Sequence, residues 1–281
     1  MSHTILTATP RPELCDFVRC FAHREMRLGD ATYSQTDAAS LEHILAFSFS
    51  GRPFLNFRNG KDDYVPWIHL VGSQTNPLSL AHFTGHVLGF GIFLKPFACW
   101  QLFRIPPAEF ATLDFDACTV FGRWTHELWT RLAEPQTLFD RIKIAEEYLL
   151  PLARNAAPLT PTMKTGQVLL KANAPPVSQL AFHAAMSLRS YERIFSAEIG
   201  IPPKLFARIA RFQRALDTKR TTDESWLTVA QEAGYFDQMH MVRDFRNLGG
   251  GRAPTLLINT IGDSQPWSLG PPLTENKVTR T

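Results

Sequence analysis

A duplication in the last third of this chain constrains its fold more than any other feature of the sequence. The first copy contains, in order, Leu180-Ala181, Ser187, Arg193-Ile194-Phe195, Gly200 and Pro203. The second copy contains Val229-Ala230, Asp237, Arg243-Asp244-Phe245, Gly250 and Pro254. The Arg, the Phe and the named Gly recur after fifty residues, with slips of one at the flanking positions. Such a repeat indicates one compact supersecondary unit that is built twice.

Each copy has the pattern of two short helices joined by a tight turn. An apolar residue and an alanine lie on the first helix, and Ser187 or Asp237 is the expected N-cap of the second helix. Apolar residues of the second helices recur at spacings of three and four and therefore share one buried face. These residues are Leu188, Tyr191 and Phe195 in the first copy and Met241, Phe245 and Leu248 in the second. The pattern predicts two helix-turn-helix units.

The residues that remain outside these buried faces are the candidate contacts to a partner. They are Arg189, Ser190, Glu192 and Arg193 in the first copy, and Gln238, Met239, Val242, Arg243 and Arg246 in the second. Between the copies, Pro202-Pro203 opens a predicted helix from Lys204 to Asp217. Its apolar stripe is Leu205, Ile209, Phe212 and Leu216, and its basic stripe is Lys204, Arg208 and Arg211. A rigid connector of this kind would hold the two second helices near the ~34 Å spacing of successive major grooves on B-DNA.

The two copies resemble the C-terminal domain of the AraC/XylS family of transcription regulators. The resemblance rests on Leu-Ala-x(5)-Ser-x(5)-Arg-Ile-Phe-x(4)-Gly-Ile-Pro-Pro and on Ala-Gly-Tyr-Phe-Asp-Gln-Met-His-Met-Val-Arg-Asp-Phe-Arg. The resemblance implies that both second helices enter adjacent major grooves, with base contacts from Arg189, Glu192, Arg193, Gln238, Met239 and Arg243. This chain departs from the pattern of the family at two places. Ala185 stands where a glycine often makes the turn, and Gly249-Gly250-Gly251-Arg252 lengthens the last loop by one residue.

The chemistry of these side chains suits base recognition. Arginine can make two hydrogen bonds to guanine and Gln238 can do the same to adenine, while Ser190 and Val242 lie on the same helical faces. Lys204, Arg208 and Arg246 are better placed for phosphate contacts. Positive charge is concentrated in this part of the chain, because residues 1–157 carry a balance of −2 and residues 158–262 a balance of +5. Such an asymmetry is expected where one region faces a polyanion.

The first half of the chain has a different pattern. Alternating residues predict strands at His43–Phe49 and His86–Leu94, and periodic apolar residues predict helices at Trp124–Leu132 and Leu138–Leu152. Ala153–Pro161 has the composition of a linker. We therefore predict an α+β protein with a small β-rich N-terminal domain and trailing helices (1–157), an all-α domain of two helix-turn-helix units joined by a long helix (158–262), and a disordered tail (263–281).

Residues 1–157 resemble, more weakly, an N-terminal domain found in a subset of the same family. The residues that carry this resemblance are Phe17-Val18-Arg19-Cys20-Phe21, Val71-Gly72-Ser73-Gln74 and Gly91-Ile92-Phe93-Leu94-Lys95-Pro96-Phe97. By analogy alone it implies sensing of a small molecule or dimerisation. The expected partners are thus double-stranded DNA, with a small-molecule effector, a second copy of the chain and RNA polymerase as further candidates. No cofactor is expected.

Other candidate sites have weaker patterns. Cys15, Cys20, Cys99 and Cys118 lack zinc spacing and are expected to be reduced and mostly buried. His82 and His86 could share a helical face as metal ligands, but Gly85, Gly89 and Gly91 favour strand and turn. Asp62-Asp63 and Asp114-x-Asp116 lack a partner histidine for acid–base chemistry and are expected to be solvated. The aromatic residues Phe93, Phe97, Trp100 and Phe103 could line a ligand pocket but are more often core.

Two other classes of function are compatible with the pattern. In one, the helical units bind another protein; in the other, the chain is an enzyme with a fused regulatory domain, such as a DNA-repair methyltransferase using Cys15 or Cys20. The basic stripe argues against the former and the absence of a catalytic motif against the latter, so a non-enzymatic regulator is expected. No apolar run reaches the ~18 residues of a membrane span, and no signal peptide is evident, which predicts a cytoplasmic protein.

Overall fold

The computed structural model of this chain describes residues 2–36, 38–57, 62–75, 79–110, 114–135, 137–251 and 254. The predicted tail 263–281 and the end of the predicted all-α domain beyond residue 254 lie outside the described residues. Strands occupy the first half and helices the second. The predicted α+β class is confirmed.

The first half is built on one antiparallel sheet. Its strands are β1 (Ser2–Ala8), β2 (Val18–Thr36), β3 (His43–Ser50), β4 (Phe54–Phe57), β5 (Asp63–Tyr64), β6 (Ile68–Val71), β7 (Ser79–Leu94) and β8 (Asp114–Asp116). The strand order is β1-β2-β7-β3-β6-β8, and β4 pairs with both β5 and β7. The strands predicted at His43–Phe49 and His86–Leu94 are therefore present, although β7 begins earlier than expected. Gly51 turns the chain after β3 with a φ of +63°, and a Cβ there would lie 2.6 Å from the His86 carbonyl oxygen.

Helices cover one face of this sheet. They are α1 (Ala98–Phe103), α2 (Ala117–Phe121), α3 (Trp124–Ala133) and α4 (Leu138–Arg154). Phe21, Phe47 and Phe90 are fully buried in the core beneath them. Trp129 Nε1 donates a hydrogen bond of 2.8 Å to the Ser48 carbonyl oxygen, so α3 is tied to β3 by a polar contact as well. The two helices predicted in this region are confirmed within two residues at each end.

The second half consists of helices. These are α5 (Pro161–Leu169), α6 (Val177–His183), α7 (Leu188–Ile199), α8 (Pro203–Thr221), α9 (Trp226–Glu232) and α10 (Gln238–Leu248). The predicted connecting helix corresponds to α8, which extends four residues beyond Asp217. Leu216, Phe212 and Ile209 are buried as predicted, because their spacing places them on the face toward α7, α9 and α10. No helix among the described residues is both long and apolar enough to cross a bilayer.

The two halves share part of one hydrophobic core. Ala38, Ala39, Leu41 and Phe97 of the first half belong to the same buried cluster as the helices α5 to α10. Phe97 stacks on Phe206 of α8 with ring centroids 5.8 Å apart. We call this contact, formed by residues 38–42 and Phe97 with α8 and the end of α10, the seam. The pattern of the sequence did not predict it, because the apolar residues involved are few and far apart in the chain.

Two predictions of burial were wrong in part. Leu188, at the first position of α7, is 40% exposed, because the buried face of α7 is formed by Tyr191, Phe195 and Ile199. Cys20 and Cys99 are buried, but Cys15 is exposed on the surface after a short 3-10 helix and Cys118 is half-buried. All four thiols are free.

Buried histidines make the stability of the first half dependent on pH. Burial lowers the pKa of His43 to about 4, and burial likewise lowers the pKa of His69 to about 4. In the unfolded chain both histidines have their ordinary pKa of about 6.5. The unfolded state therefore binds more protons than the folded state between these two values, and the unfolding free energy falls as the pH decreases through that window.

We predict that the unfolding free energy decreases by about 1 kcal/mol for each of these two histidines between about pH 7.5 and pH 5.5. Urea unfolding at the two pH values measures it. His43→Gln should reduce this difference because it removes one of the titrating groups. The matched control is His126→Gln, at an exposed position of α3, which should retain the full difference. An identical pH dependence in the wild type and His43→Gln would contradict the prediction.

Candidate nucleic-acid interface

The two predicted helix-turn-helix units are built with the same turn. In the first unit the Met186 N–H donates to the Ala181 carbonyl oxygen at 2.9 Å, and in the second the Tyr235 N–H donates to the Ala230 carbonyl oxygen at 2.9 Å. One residue of each turn lies in the left-handed region, namely Ala185 with φ of 53° and Gly234 with φ of 82°. A side chain at such a φ costs about 1–2 kcal/mol, so Ala185 adopts the backbone of a glycine at an energetic cost.

The second helix of each unit begins at the predicted N-cap. Ser187 Oγ accepts a hydrogen bond from the Ser190 N–H at 3.2 Å, and Asp237 Oδ1 accepts one from the His240 N–H at 2.6 Å. Both caps satisfy N–H groups that a helix start leaves unpaired. Gly200 ends α7 in the left-handed conformation with φ of 84°. The boundaries of α7 and α10 are thus set by local sequence.

The buried faces of α7 and α10 are held against α8. Phe195 meets Phe206 edge-on at 5.4 Å, and Phe212 meets Phe245 edge-on at 4.9 Å between ring centroids. All four of these side chains are buried. Each second helix is therefore fixed on its own part of α8, so that the two outer faces are held in a defined relative position.

The residues predicted to contact bases lie on the outer faces of α7 and α10. Arg189, Arg193, Gln238, Met239 and Arg243 are exposed, and Ser190, Glu192 and Val242 are half-buried. On α7, Arg189 and Arg193 are four residues apart, as are Met239 and Arg243 on α10, so each pair shares one side of its helix. We call the set of these eight residues the outer face. The structure leaves all of them accessible and assigns none of them to the core.

The residues predicted to contact phosphates have different surroundings. Lys204 is exposed and lies 3.4 Å from Glu192 Oε1, and Arg246 is exposed near the end of α10. Arg208, by contrast, donates through Nε to Asp244 Oδ1 at 2.5 Å, and the Asp244 carboxylate is buried. The pair links α8 to α10, so Arg208 holds the second unit together as well as facing outward.

Part of the predicted basic stripe on α8 packs inside the domain. The Arg211 guanidinium lies over the Tyr235 ring at 5.0 Å. Arg214, which the sequence did not single out, donates to the carbonyl oxygens of Leu170 at 2.8 Å and Ala233 at 3.3 Å. Burial raises the pKa of Tyr235, and the Asp244 carboxylate raises it further, so that the phenol is protonated. The inner arginines thus bind helix ends and an aromatic ring.

Two aromatic residues that the sequence did not single out are exposed in the helix-turn-helix units. Phe236 is 94% exposed directly before the N-cap of α10, and Phe182 is 80% exposed near the end of α6. Met239 adds a further exposed apolar side chain. Phe236 could have been identified from the sequence, because it is a large aromatic residue immediately before an N-cap and lies outside the apolar period of the helix. These side chains offer apolar contact next to charged groups.

The candidate catalytic and metal sites of the first half have ordinary structural surroundings. His82 and His86 lie on β7, as their glycine neighbours predicted, where His82 Nδ1 is 2.8 Å from Ser34 Oγ. Asp116 is the N-cap of α2 and accepts from the Cys118 N–H. Asp62 accepts from Asn56 Nδ2 at 2.7 Å. Within the described ranges no three His, Cys, Asp or Glu side chains are grouped as metal ligands.

The aromatic residues that were candidates for a ligand pocket belong to the core, which is the interpretation that the sequence favoured. Phe93 and Phe97 are buried core residues, and Trp100 and Phe103 pack against the two main clusters. A cavity of about 50 Å³ lies instead among β2, β3, β4, β6 and β7, with Gln35, Glu42, His69 and Gln74 among its polar walls. Ile44, Leu55 and Phe83 supply apolar walls. The sequence did not indicate this set, because its members come from five separate segments.

Comparison with known proteins agrees with this geometry. Residues 180–252 match the family model described as a helix-turn-helix domain. A protein of Haemophilus influenzae, described as an uncharacterized HTH-type transcriptional regulator, is 35% identical over 71 residues. That match spans 25% of this chain and only 24% of the relative, so it concerns about a quarter of that protein's length.

The chain is also similar to solved structures over part or most of its length. ToxT from Vibrio cholerae O395 superposes with a TM-score of 0.50 at 10% identity, over 85% of this chain and 97% of ToxT. A regulator with an AraC-type DNA-binding domain from Chromobacterium violaceum is 22% identical over 35% of this chain and 90% of its own, with a TM-score of 0.32. At such identity the likeness to ToxT shows a shared fold and nothing more. Taken with the family match, the duplicated turn and the paired caps, residues 180–252 are a helix-turn-helix domain.

Proposed function

We propose that this protein is a sequence-specific DNA-binding transcription regulator whose two second helices, α7 and α10, enter successive major grooves. The observation that carries the proposal is the outer face, which presents three arginines and a glutamine on two helices fixed to one rigid connector. Arginine and glutamine are the side chains that read guanine and adenine edges by paired hydrogen bonds. The family match of this domain supports the same function.

In this proposal each part of the chain has a role. Residues 158–262 bind DNA, with base contacts from the outer face and phosphate contacts from Lys204, Arg246 and the outward side of Arg208. Residues 1–157 sense a small-molecule effector or join two copies of the chain, and the regulator acts on RNA polymerase in the cytoplasm. The positive balance of +5 over residues 158–262 supports the assignment of the DNA-binding part.

The exposed apolar residues Phe182, Phe236 and Met239 favour a second candidate function, the binding of another protein by the helical units. Exposed aromatic and methionine side chains are typical of protein interfaces. The same residues also suit contact with the methyl group of thymine. The dependence of binding on DNA sequence and on salt separates the two candidates.

Selection of bound sequences from random double-stranded DNA by the full chain is the first test. We expect one enriched motif with two blocks of preferred bases whose centres are about one helical turn, or 10 base pairs, apart. Two blocks follow from the two second helices on one connector. Recovery of sequences without any enrichment would overturn the proposed function and favour the protein-binding alternative.

Substitution on the outer face should act on one block at a time. We expect Arg193→Ala to weaken binding to the enriched site by about 1–3 kcal/mol and relax preference in one block, and Arg243→Ala to do the same in the other. Fluorescence anisotropy with single-base variants of the site measures both effects. Arg123→Ala, at an exposed position before α3, is the matched control and should retain full affinity. Unchanged base preference in both variants would show that the groove assignment is wrong.

Loss of a phosphate contact should have a different signature. We expect Lys204→Ala and Arg246→Ala each to weaken binding to all sequences equally and to reduce the slope of log affinity against log salt by about 1. Titrations at several salt concentrations measure the slope. Lys164→Ala, at an exposed position of α5, removes the same charge away from the outer face and should leave the slope unchanged. An equal change in all three variants would indicate a general effect of charge instead of a contact.

A further inference from the structure

The cavity of the first half contains a buried carboxylate that is only half satisfied. Glu42 is 7% exposed and lines the cavity. Its Oε1 accepts a hydrogen bond of 2.7 Å from Arg19 Nη1, whereas its Oε2 has no hydrogen-bond partner among the described residues. Leaving a buried charged oxygen unsatisfied is costly. The atom is therefore a strong acceptor for a donor group that enters the cavity.

The charge around Glu42 favours a positive donor. Arg19 is shared between two carboxylates, because its Nη2 also lies 3.6 Å from Asp217 Oδ2 on α8. Burial raises the pKa of Glu42, and the Arg19 guanidinium opposes that rise. Asp217 has a second cation, because Arg220 Nη1 lies 3.7 Å from its Oδ1, whereas Glu42 receives its hydrogen bond from Arg19. A ligand cation would complete the pairing of Glu42 at Oε2.

A second acceptor lines the same cavity. His69 Nδ1 is 3.1 Å from the Pro66 carbonyl oxygen, which fixes the proton on Nδ1 and leaves Nε2 as an acceptor. Burial lowers the pKa of His69 to about 4, so the ring is neutral near pH 7. Ile44, Leu55 and Phe83 complete the walls. The volume of about 50 Å³ equals that of a few water molecules, at about 10–15 Å³ for each, and suits a small organic group.

The cavity shares two of its residues with the seam. Ser40 Oγ accepts a hydrogen bond of 3.3 Å from Gln213 Nε2 of α8, and the Leu41 N–H donates to Gln213 Oε1 at 3.2 Å. Next to them, the Ala39 N–H donates to the Leu248 carbonyl oxygen at the end of α10 at 2.8 Å. Ser40 and Glu42 both line the cavity. A change at Glu42 therefore acts directly on the contacts that hold α8 and α10.

We propose that this cavity binds the ammonium or guanidinium group of a small organic cation through Glu42 and His69. We further infer that the bound cation, paired at Glu42 Oε2, weakens the hydrogen bond between Glu42 Oε1 and Arg19 and so loosens the seam, which couples the cavity to the second helices. The proposed binding of the cation depends only on the cavity and not on any function of the helical units. The consequence for DNA rests on the proposed function above.

Calorimetric titration of the full chain with methylguanidinium chloride and methylammonium chloride tests the binding. We expect saturable binding of at least one of them, no binding of sodium acetate, and affinity at least about tenfold weaker in Glu42→Gln, as for the loss of a charged hydrogen bond. Glu147→Gln removes an exposed carboxylate that pairs with Arg131, and this matched control should bind like the wild type.

A second variant keeps the test decisive if Glu42→Gln does not fold. Ala81→Leu fills the cavity wall from β7 and leaves both Glu42 and Arg19 in place, so it should also lose the cation. Circular dichroism shows whether each variant is folded. Failure of both cations to bind the wild type, equal binding by acetate, or unchanged cation binding in the folded variants would overturn the proposed site.

The coupling is tested separately, with and without DNA. We expect saturating cation to speed hydrogen exchange at the Ala39 and Leu41 amides, and to change affinity for the enriched DNA by at least about fivefold, with DNA changing cation affinity by the same factor. If no DNA sequence is enriched, the proposed function fails. Hydrogen exchange at the Ala39 and Leu41 amides still decides whether the seam responds to the cation. Binding that depends on Glu42 but changes neither exchange nor DNA affinity would overturn the coupling.

Discussion

The packing of aromatic side chains along α8 is the constraint on which the arrangement of the C-terminal half depends. Phe206 near its start packs against Phe195 of α7, and Phe212, six residues later, packs against Phe245 of α10. Dispersion and burial hold each ring in a single well-packed position. Because α8 is one continuous helix, these two contacts set the separation and rotation of α7 and α10, and thereby the direction in which the outer face points.

Buried ion pairs add directional restraint to this apolar packing. Arg208 connects α8 to the buried Asp244 of α10, and Arg19 connects the sheet to Glu42 and Asp217. Each charge withdrawn from water needs a partner in a specific position, so such pairs favour one packing arrangement over near alternatives more than they add net stability. Polar contacts thus help to specify the seam. Gly166 permits close approach of Phe97 and Phe195, because a Cβ at residue 166 would lie 3.0 Å from each ring.

Local sequence determined the secondary structure of the repeated units in detail. The caps at Ser187 and Asp237, the left-handed turn position and the apolar spacing of Tyr191 and Phe195 all act within one or two helical turns, so their effect can be read without knowing the fold. Leu188 shows the limit of this reasoning. At the first position of α7 it satisfies the apolar period but projects beyond the neighbouring helices, and its exposure depends on where those helices lie.

The sequence by itself determined the duplicated helix-turn-helix pattern, the accessible set of arginines and polar residues on its second helices, and the division into a strand-rich and a helical half. Only the tertiary structure decided that Arg211 and Arg214 turn inward, that Arg208 pairs with Asp244, and that Glu42 stands between a cavity and α8. The physical reason is that charge pairing and burial act over distances in space and not along the chain. A guanidinium on a helix surface has the same sequence pattern whether it faces solvent, an aromatic ring or a carboxylate brought from another segment.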